Sequence, residues 1–488
     1  MKQCFKVSLF VILILSIHTY LYAIETKKQT LKGNMTVVYS RMPSDADSLS
    51  DAFTNGIIYS RIRSNIFYYD WKLEDYMSGG KSKSHSAMGL GGSLIYKSAP
   101  LNGFSGTIGL YTSQNPWFFR KDKINVGYLK SGKDTLSRSK VNNGGRYDGS
   151  YGMTVLGQAY LRYDTSGIFL DIGRHMFESV FTASNDTKMV PNTFDGISAE
   201  IKPFSKTKIQ FAYFAAQKLR DHTSSHDVIA FDSWNENDDS AVNKSLTKAL
   251  VGTDNELLIA TANIKEIKNF NATVSYLSVP HIISNTVLES HYKFSLGEWS
   301  VIPGMRLMLQ RDHLDTTFPV ANLKGKISGY HNPENLDGKL YAARLDIKKG
   351  PLSFRIGYSK VFDDADIIAP WRGFPTGGFT RAMAQYNWYA NTESYLMRFD
   401  CDLDKARLIS GFKMLARFVI QNFDDLKTGV QPDSNVIQLD IIKKLADNLE
   451  AKFRFGTADS DNNTYDINGS LKTDVSYSEY RLEFNYFF

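Results

Sequence analysis

Tyr477-Ser478-Glu479-Tyr480-Arg481-Leu482-Glu483-Phe484-Asn485-Tyr486-Phe487-Phe488 closes the chain, and its alternation decides the fold. Tyr480, Leu482, Phe484, Tyr486 and Phe488 fall on one face, while Glu479, Arg481, Glu483, Asn485 and Phe487 fall on the other. Successive side chains of a strand point to opposite faces, so the segment has one apolar and one largely charged surface. Termini of soluble proteins fray unless tied down, and such an aromatic strand would rarely be left there. A closed membrane barrel accommodates it, because the closing strand pairs on both edges and turns its apolar face to lipid.

The other end of the chain points to export. Lys2 and Lys6 precede an apolar run over 7–17, and Ala23 offers a small residue for cleavage. Residues 1–23 are therefore expected to be a signal peptide, too short to span a bilayer as a helix. Its removal takes Cys4 and two lysines, lowering the net charge from +6 to +4. Cys401 is then the only cysteine, so no intramolecular disulfide supports the fold. No later run reaches about eighteen apolar residues, which excludes a helical membrane protein.

Working back from the terminal strand, the same period-two pattern recurs in pairs. Hairpins are expected at 90–110, 155–172, 197–217, 256–279, 287–310, 340–360, 394–421 and 436–455. Gly, Pro, Asn and Asp populate their short turns, where tight reversals need unusual backbone angles. Long polar stretches separate the hairpins at 70–86, 115–150, 174–195, 218–255, 311–337 and 361–391. Alternating short turns and long loops are the arrangement of outer-membrane barrels. Eight hairpins give sixteen strands, and 55–69 and 477–488 bring the total to eighteen. The expected fold is thus all-β: a transmembrane antiparallel β-barrel of 18 strands over 55–488, with long external loops. Residues 24–54, including an alternating run at 31–40, are expected to form an N-terminal periplasmic extension.

The register also assigns the lumen. Arg61, Arg63, Arg162, Arg306, Arg344, Arg355, Arg398, Lys413, Arg417, Lys452, Arg454 and Arg481 fall on the face away from lipid. Asp171, Asp346, Asp400, Asp440 and Glu483 share it. A cation on the lipid face near the midplane would cost about 2–4 kcal/mol, so the charges are expected inside. Arg–acid pairs would stiffen the wall. Arginine forks also suit carboxylates, and a row of them makes a path on which each site is weak enough to leave.

Two loop stretches resemble the OprD family of outer-membrane porins, especially its epsilonproteobacterial members. One is Ala183-Ser184-Asn185-Asp186-Thr187-Lys188-Met189-Val190-Pro191-Asn192-Thr193-Phe194-Asp195-Gly196. The other is Pro370-Trp371-Arg372-Gly373-Phe374-Pro375-Thr376-Gly377-Gly378-Phe379-Thr380-Arg381, at the centre of 366–385. Lys188 departs from the arginine frequent in that family, which removes a bidentate donor. The terminal Phe488 resembles the signal read by the outer-membrane insertion machinery. The resemblance implies an eighteen-stranded barrel whose inward loops narrow the pore and pass amino acids, small peptides or organic carboxylates. Asp186, Lys188, Arg372 and Arg381 are then expected at the constriction, together with the wall arginines. Trp371, Phe374 and Phe379 are expected inside the barrel mouth, because open water would penalise them.

The expected function is a passive diffusion channel for small polar solutes, with no cofactor and no catalytic site. No phosphate-binding glycine loop or nucleophile elbow occurs. His222 and His226 are read as an exposed loop rather than a metal pair, and 459–470 lacks the glycine and glutamate of a calcium loop. The diffuse positive charge argues against nucleic acid. Outer-membrane lipids and lipopolysaccharide are the expected surroundings, and a homotrimer is compatible with the sequence. The alternative is a structural or adhesive surface protein with a plugged lumen.

Overall fold

The computed structural model describes residues 29–31, 37–72, 85–119, 152–230, 246–315, 317–322, 325–383 and 385–488. The signal segment 1–23 lies outside them, as do 73–84, 120–151 and 231–245 within three of the long loops. A two-stranded sheet comes first, of β1 (Gln29–Leu31) and β2 (Val37–Tyr39), followed by helix α1 (Leu49–Thr54). The wall opens with β3 (Ile57–Trp71), β4 (His85–Lys97), β5 (Phe104–Gln114), β6 (Gly152–Thr165), β7 (Ile168–His175), β8 (Thr193–Phe204) and β9 (Thr207–Lys218). It continues through β10 (Leu257–Ile264), β11 (Phe270–Val279), β12 (Ile283–Tyr292), β13 (Phe294–Leu296), β14 (Trp299–Asp312) and β15 (Gly338–Lys349). β16 (Leu352–Val361), β17 (Thr392–Asp402), β18 (Phe412–Asn422), β19 (Ser434–Ala446), β20 (Leu449–Ser460) and β21 (Tyr477–Phe487) complete it.

Every neighbour pair is antiparallel, and β21 pairs with β3 over Tyr477↔Trp71 to Phe487↔Arg61 to close the barrel. β13 continues β12 past Lys293 along the same partner, β14, so the wall has eighteen strands. Closure removes the unpaired edge that a lone hydrophobic strand would expose. Among the described residues no helix is long and apolar enough to cross a membrane. Ile58, Ile62, Tyr68, Tyr395, Met397, Phe399 and Tyr480 stand out from the wall as part of an apolar outer band. Buried polar groups line the other face, among them Arg61, Arg63, Asn65, Gln438, Asp440, Glu479 and Glu483.

Two expectations need correction. The connection from β17 to β18 is not the short turn expected within 394–421. Leu403 N bonds Phe412 O at 2.9 Å, and 403–411 lie outside the ladder, so β18 starts only at Phe412. The His222–His226 segment is not an exposed loop. Gln217 and His226 form an antiparallel bridge that turns the chain back along β9, and His222 is buried with its ring 4.2 Å from that of His226. Among the described residues no group of three or more His, Cys, Asp and Glu side chains could hold a metal.

Among the described residues, the segment before β3 adds no strand to the wall. It docks on the short turn after β4, through Ala46 N to Pro100 O (2.7 Å) and Ala99 N to Ala52 O (2.8 Å). Tyr39 meets the lumen-facing ring of Tyr59 edge-on at 4.6 Å, and Gln29 Nε2 donates to Ser60 O at 2.6 Å. Tyr39 therefore lies within the short-turn mouth of the barrel.

Candidate pore constriction

Two loops meet across the lumen. The first, 176–192, leaves β7 and returns to β8; the second, 362–391, joins β16 to β17. They pair like a fragment of sheet: Thr182 bridges Arg372, Gly373 N donates to Phe181 O (2.9 Å) and Ala183 N donates to Trp371 O (3.1 Å). Glycine is required at 373, because a Cβ there would lie 2.1 Å from the Phe181 carbonyl carbon. A third stretch, 219–230, joins them, with Trp371 Nε1 donating to Val228 O at 2.6 Å. Phe181, Val228, Ile229, Trp371, Phe379 and Trp388 bury one another in the same apolar cluster.

Polar contacts fix the loops to the wall. Asp186 accepts from Arg61 and, at 2.7 Å, from Arg63, both on β3; Arg63 also pairs with Glu483 on β21. Met189 and Val190 pack with Tyr59, Ile95 and Tyr111 beside this cluster. Lys188 Nζ lies 5.5 Å from the Phe67 ring centre, and Arg481 donates to Thr187 O at 3.3 Å while pairing with Glu479. On the opposite wall the Gly378 carbonyl accepts from Arg344 (2.9 Å) and Arg355 (2.7 Å). Arg306 donates to Pro375 O at 2.7 Å and holds Glu289 at 2.5 Å. Buried carbonyls and carboxylates need such partners, so the loops are anchored rather than resting in the pore.

The matching family model is described as outer membrane porin, OprD family, and it covers residues 124–420. The chain belongs to the OprD family. OprD-family porins are passive channels of the outer membrane, not enzymes. The barrel resembles Pseudomonas aeruginosa OpdK solved with vanillate, with a TM-score of 0.65 at 13% identity over 88% of this chain and 98% of that one. Acinetobacter baumannii OccAB3 gives 0.65 at 14% identity over 88% and 99%, and A. baumannii OccAB4 gives 0.68 at 12% over 89% and 98%. No curated protein matches by sequence.

Within this OprD-family barrel the lumen charges fall into two groups. Most arginines are matched by an acid of the wall: Arg355 with Asp346 (2.5 Å), Arg398 with Asp400 (2.6 Å) and Arg454 with Asp440 (2.6 Å). Arg344 shares Asp346 with Arg355, at 3.5 Å. Arg417 has no ion pair among the described residues and donates only to Gln438 Oε1, at 3.4 Å. Arg381 has no carboxylate partner among them either, and lies flat on Phe374 at 3.5 Å with Trp388 at 5.7 Å. Burial pulls the Arg381 guanidinium down to about 10, still well above neutral pH, so it stays cationic there. Arg372 is buried with φ at +75° in the bridge to Thr182.

The ladder also sets the arginines in a line. Arg355, Arg398 and Arg417 are direct partners across β16, β17 and β18, and Arg454 stands opposite Arg481 across β20 and β21. Sequence reasoning missed Glu289 and the inward course of 219–230. Strand parity carried the signal for Glu289; nothing in the local pattern of 219–230 distinguishes an inward from an outward loop.

Proposed function

We propose that this porin passes small carboxylate-bearing solutes through a constriction framed by 176–192 and 362–391, handed along the arginines of β16 to β18. The observation that carries the reading is the imbalance of charge at Arg381 and Arg417. Their neighbours Arg355 and Arg398 each have a carboxylate at hydrogen-bond distance, while Arg381 and Arg417 have none among the described residues. A desolvated cation without a counter-charge is costly, and a passing carboxylate supplies one for as long as it stays. The aromatic faces of Phe374 and Trp388 already hold the Arg381 fork in plane, which leaves its edge to donate to both oxygens of a carboxylate. Vanillate, an aromatic carboxylate, is the ligand named with OpdK, and an organic acid of that type fits a site of guanidinium beside aromatic rings. Arg61, Arg63, Arg306, Arg454 and Arg481 have the different role of holding loops and wall together, with Asp186 and Lys188 completing the narrow section.

Planar-bilayer recording tests the reading. Purified protein should give discrete conductance steps and a reversal potential favouring anions, and the Arg381→Gln/Arg417→Gln double variant should lose most of that preference. Absence of steps would point to the plugged alternative. A cation preference in the wild type would remove the role assigned to the arginines.

A further inference from the structure

The short-turn mouth carries cations of a different kind from those in the constriction. Lys265 extends the lumen face of β10, on which Leu257, Ile259 and Thr261 are buried. Lys293 extends the face of β12 that carries Asn285 and Val287, and Lys348 shares the face of Ala342 and Asp346 on β15. All three are exposed at the rim, and none makes an ion pair among the described residues. The acids of these turns are engaged elsewhere. Glu266 accepts from Lys206 N at 2.8 Å and Thr207 Oγ1 at 3.0 Å, and Glu298 pairs with Lys349 at 3.1 Å on the lipid side, where Lys349 lies over Trp299.

We propose that this arc of lysines on the lumen face from β10 to β15 is a second selectivity element, which concentrates small hydrated anions at the end of the pore away from the long loops. The inference rests on the channel reading and extends it. Arginines of the constriction are mostly committed to carboxylates and loop carbonyls, so they select by geometry. A lysine ammonium is a compact, strongly hydrated point charge on a flexible stem, so it attracts an anion without demanding that it shed water or adopt one orientation. Uncompensated charges of one sign at a narrow opening raise the local counter-ion concentration. Their flexible stems and exposure to water keep each site weak, as release requires. The lumen-facing register separates these lysines from Lys349, whose place over Trp299 is the usual one for a side chain at the lipid boundary.

The triple variant Lys265→Gln/Lys293→Gln/Lys348→Gln, refolded and checked for heat-modifiable gel migration, tests this in planar bilayers under a salt gradient. Near about 0.1 M salt its anion-to-cation permeability ratio should fall about twofold below wild type; at about 1 M, where screening shortens to roughly 3 Å, the two should converge. The matched triple lysine-to-arginine variant should keep the wild-type ratio. A triple glutamine variant with the wild-type reversal potential at low salt overturns the proposal while its conductance steps leave the channel reading standing. No current from the wild type would remove both.

Discussion

Asp186 holds Arg63 at 2.7 Å across 123 residues of sequence, tying the tip of an inward loop to the strand that closes the barrel. Its other oxygen accepts from Arg61, so one carboxylate serves two buried guanidinium groups. Asp186→Asn keeps the volume and removes the charge, leaving Arg61 buried without an acid. Breaking a buried pair from one side typically costs about 3–5 kcal/mol, and Glu483 keeps Arg63 from bearing all of that. The expected result is a noisier channel of higher conductance, with a heat-unfolding midpoint below wild type; an unchanged single-channel trace would exclude Asp186 as the loop's anchor.

Gly373 sits where the two loops touch backbone to backbone. Gly373→Ala places a methyl 2.1 Å from the Phe181 carbonyl carbon, a contact that forces the loops apart. Overpacking of this kind costs about 1–3 kcal/mol. The wall ladder is remote from the change, so barrel stability should hold while conductance rises. Side-by-side recordings and heat-modifiability of the two proteins would decide it.

A clamp at the long-loop end should respond to acid. Lys427 Nζ bridges Asp363 (2.5 Å) and Asp424 (2.8 Å), linking 362–391 to the turn after β18. Burial pushes the Asp424 carboxyl up, but the bonds from Lys427 and Asn391 outweigh it and hold the group below its ordinary value. A depressed folded-state value means that the stabilisation is fully present above the unfolded carboxylate's own range, about pH 4, and is lost as pH falls through the folded value. Protease nicking of 362–391 should accelerate below about pH 4 in the wild type. Asp424→Asn should show the faster cleavage already at neutral pH, with much less further change on acidification.

Tyr39 lies in the short-turn mouth with the Lys97 ammonium 3.9 Å from its ring centre and Tyr59 against its edge. Tyr39→Ala removes about 150 Å² or more of aromatic surface from that mouth without touching the ladder. Conductance should rise and the unfolding temperature should stay within a few degrees of wild type. A large stability loss instead would mean that the segment is part of the barrel's support.

The sequence carried the wall almost completely. Strict alternation over 477–488 and the recurring hairpins were enough for eighteen strands and for the pairing of the last strand with the first. Those features are local: a side chain's face follows from its parity, and a charge cannot rest against lipid. Which acid answers which arginine is not local, because Arg63 meets Asp186 and Glu483 only after the barrel has closed and the loop has turned in. The same holds for the terminal strand itself. Its sequence determined an apolar outer face and a charged inner one; only the tertiary structure decided that Glu483 pairs with Arg63 while Glu479 pairs with Arg481. Period two fixes direction, whereas partner choice depends on register, loop course and the cost of leaving a buried charge alone.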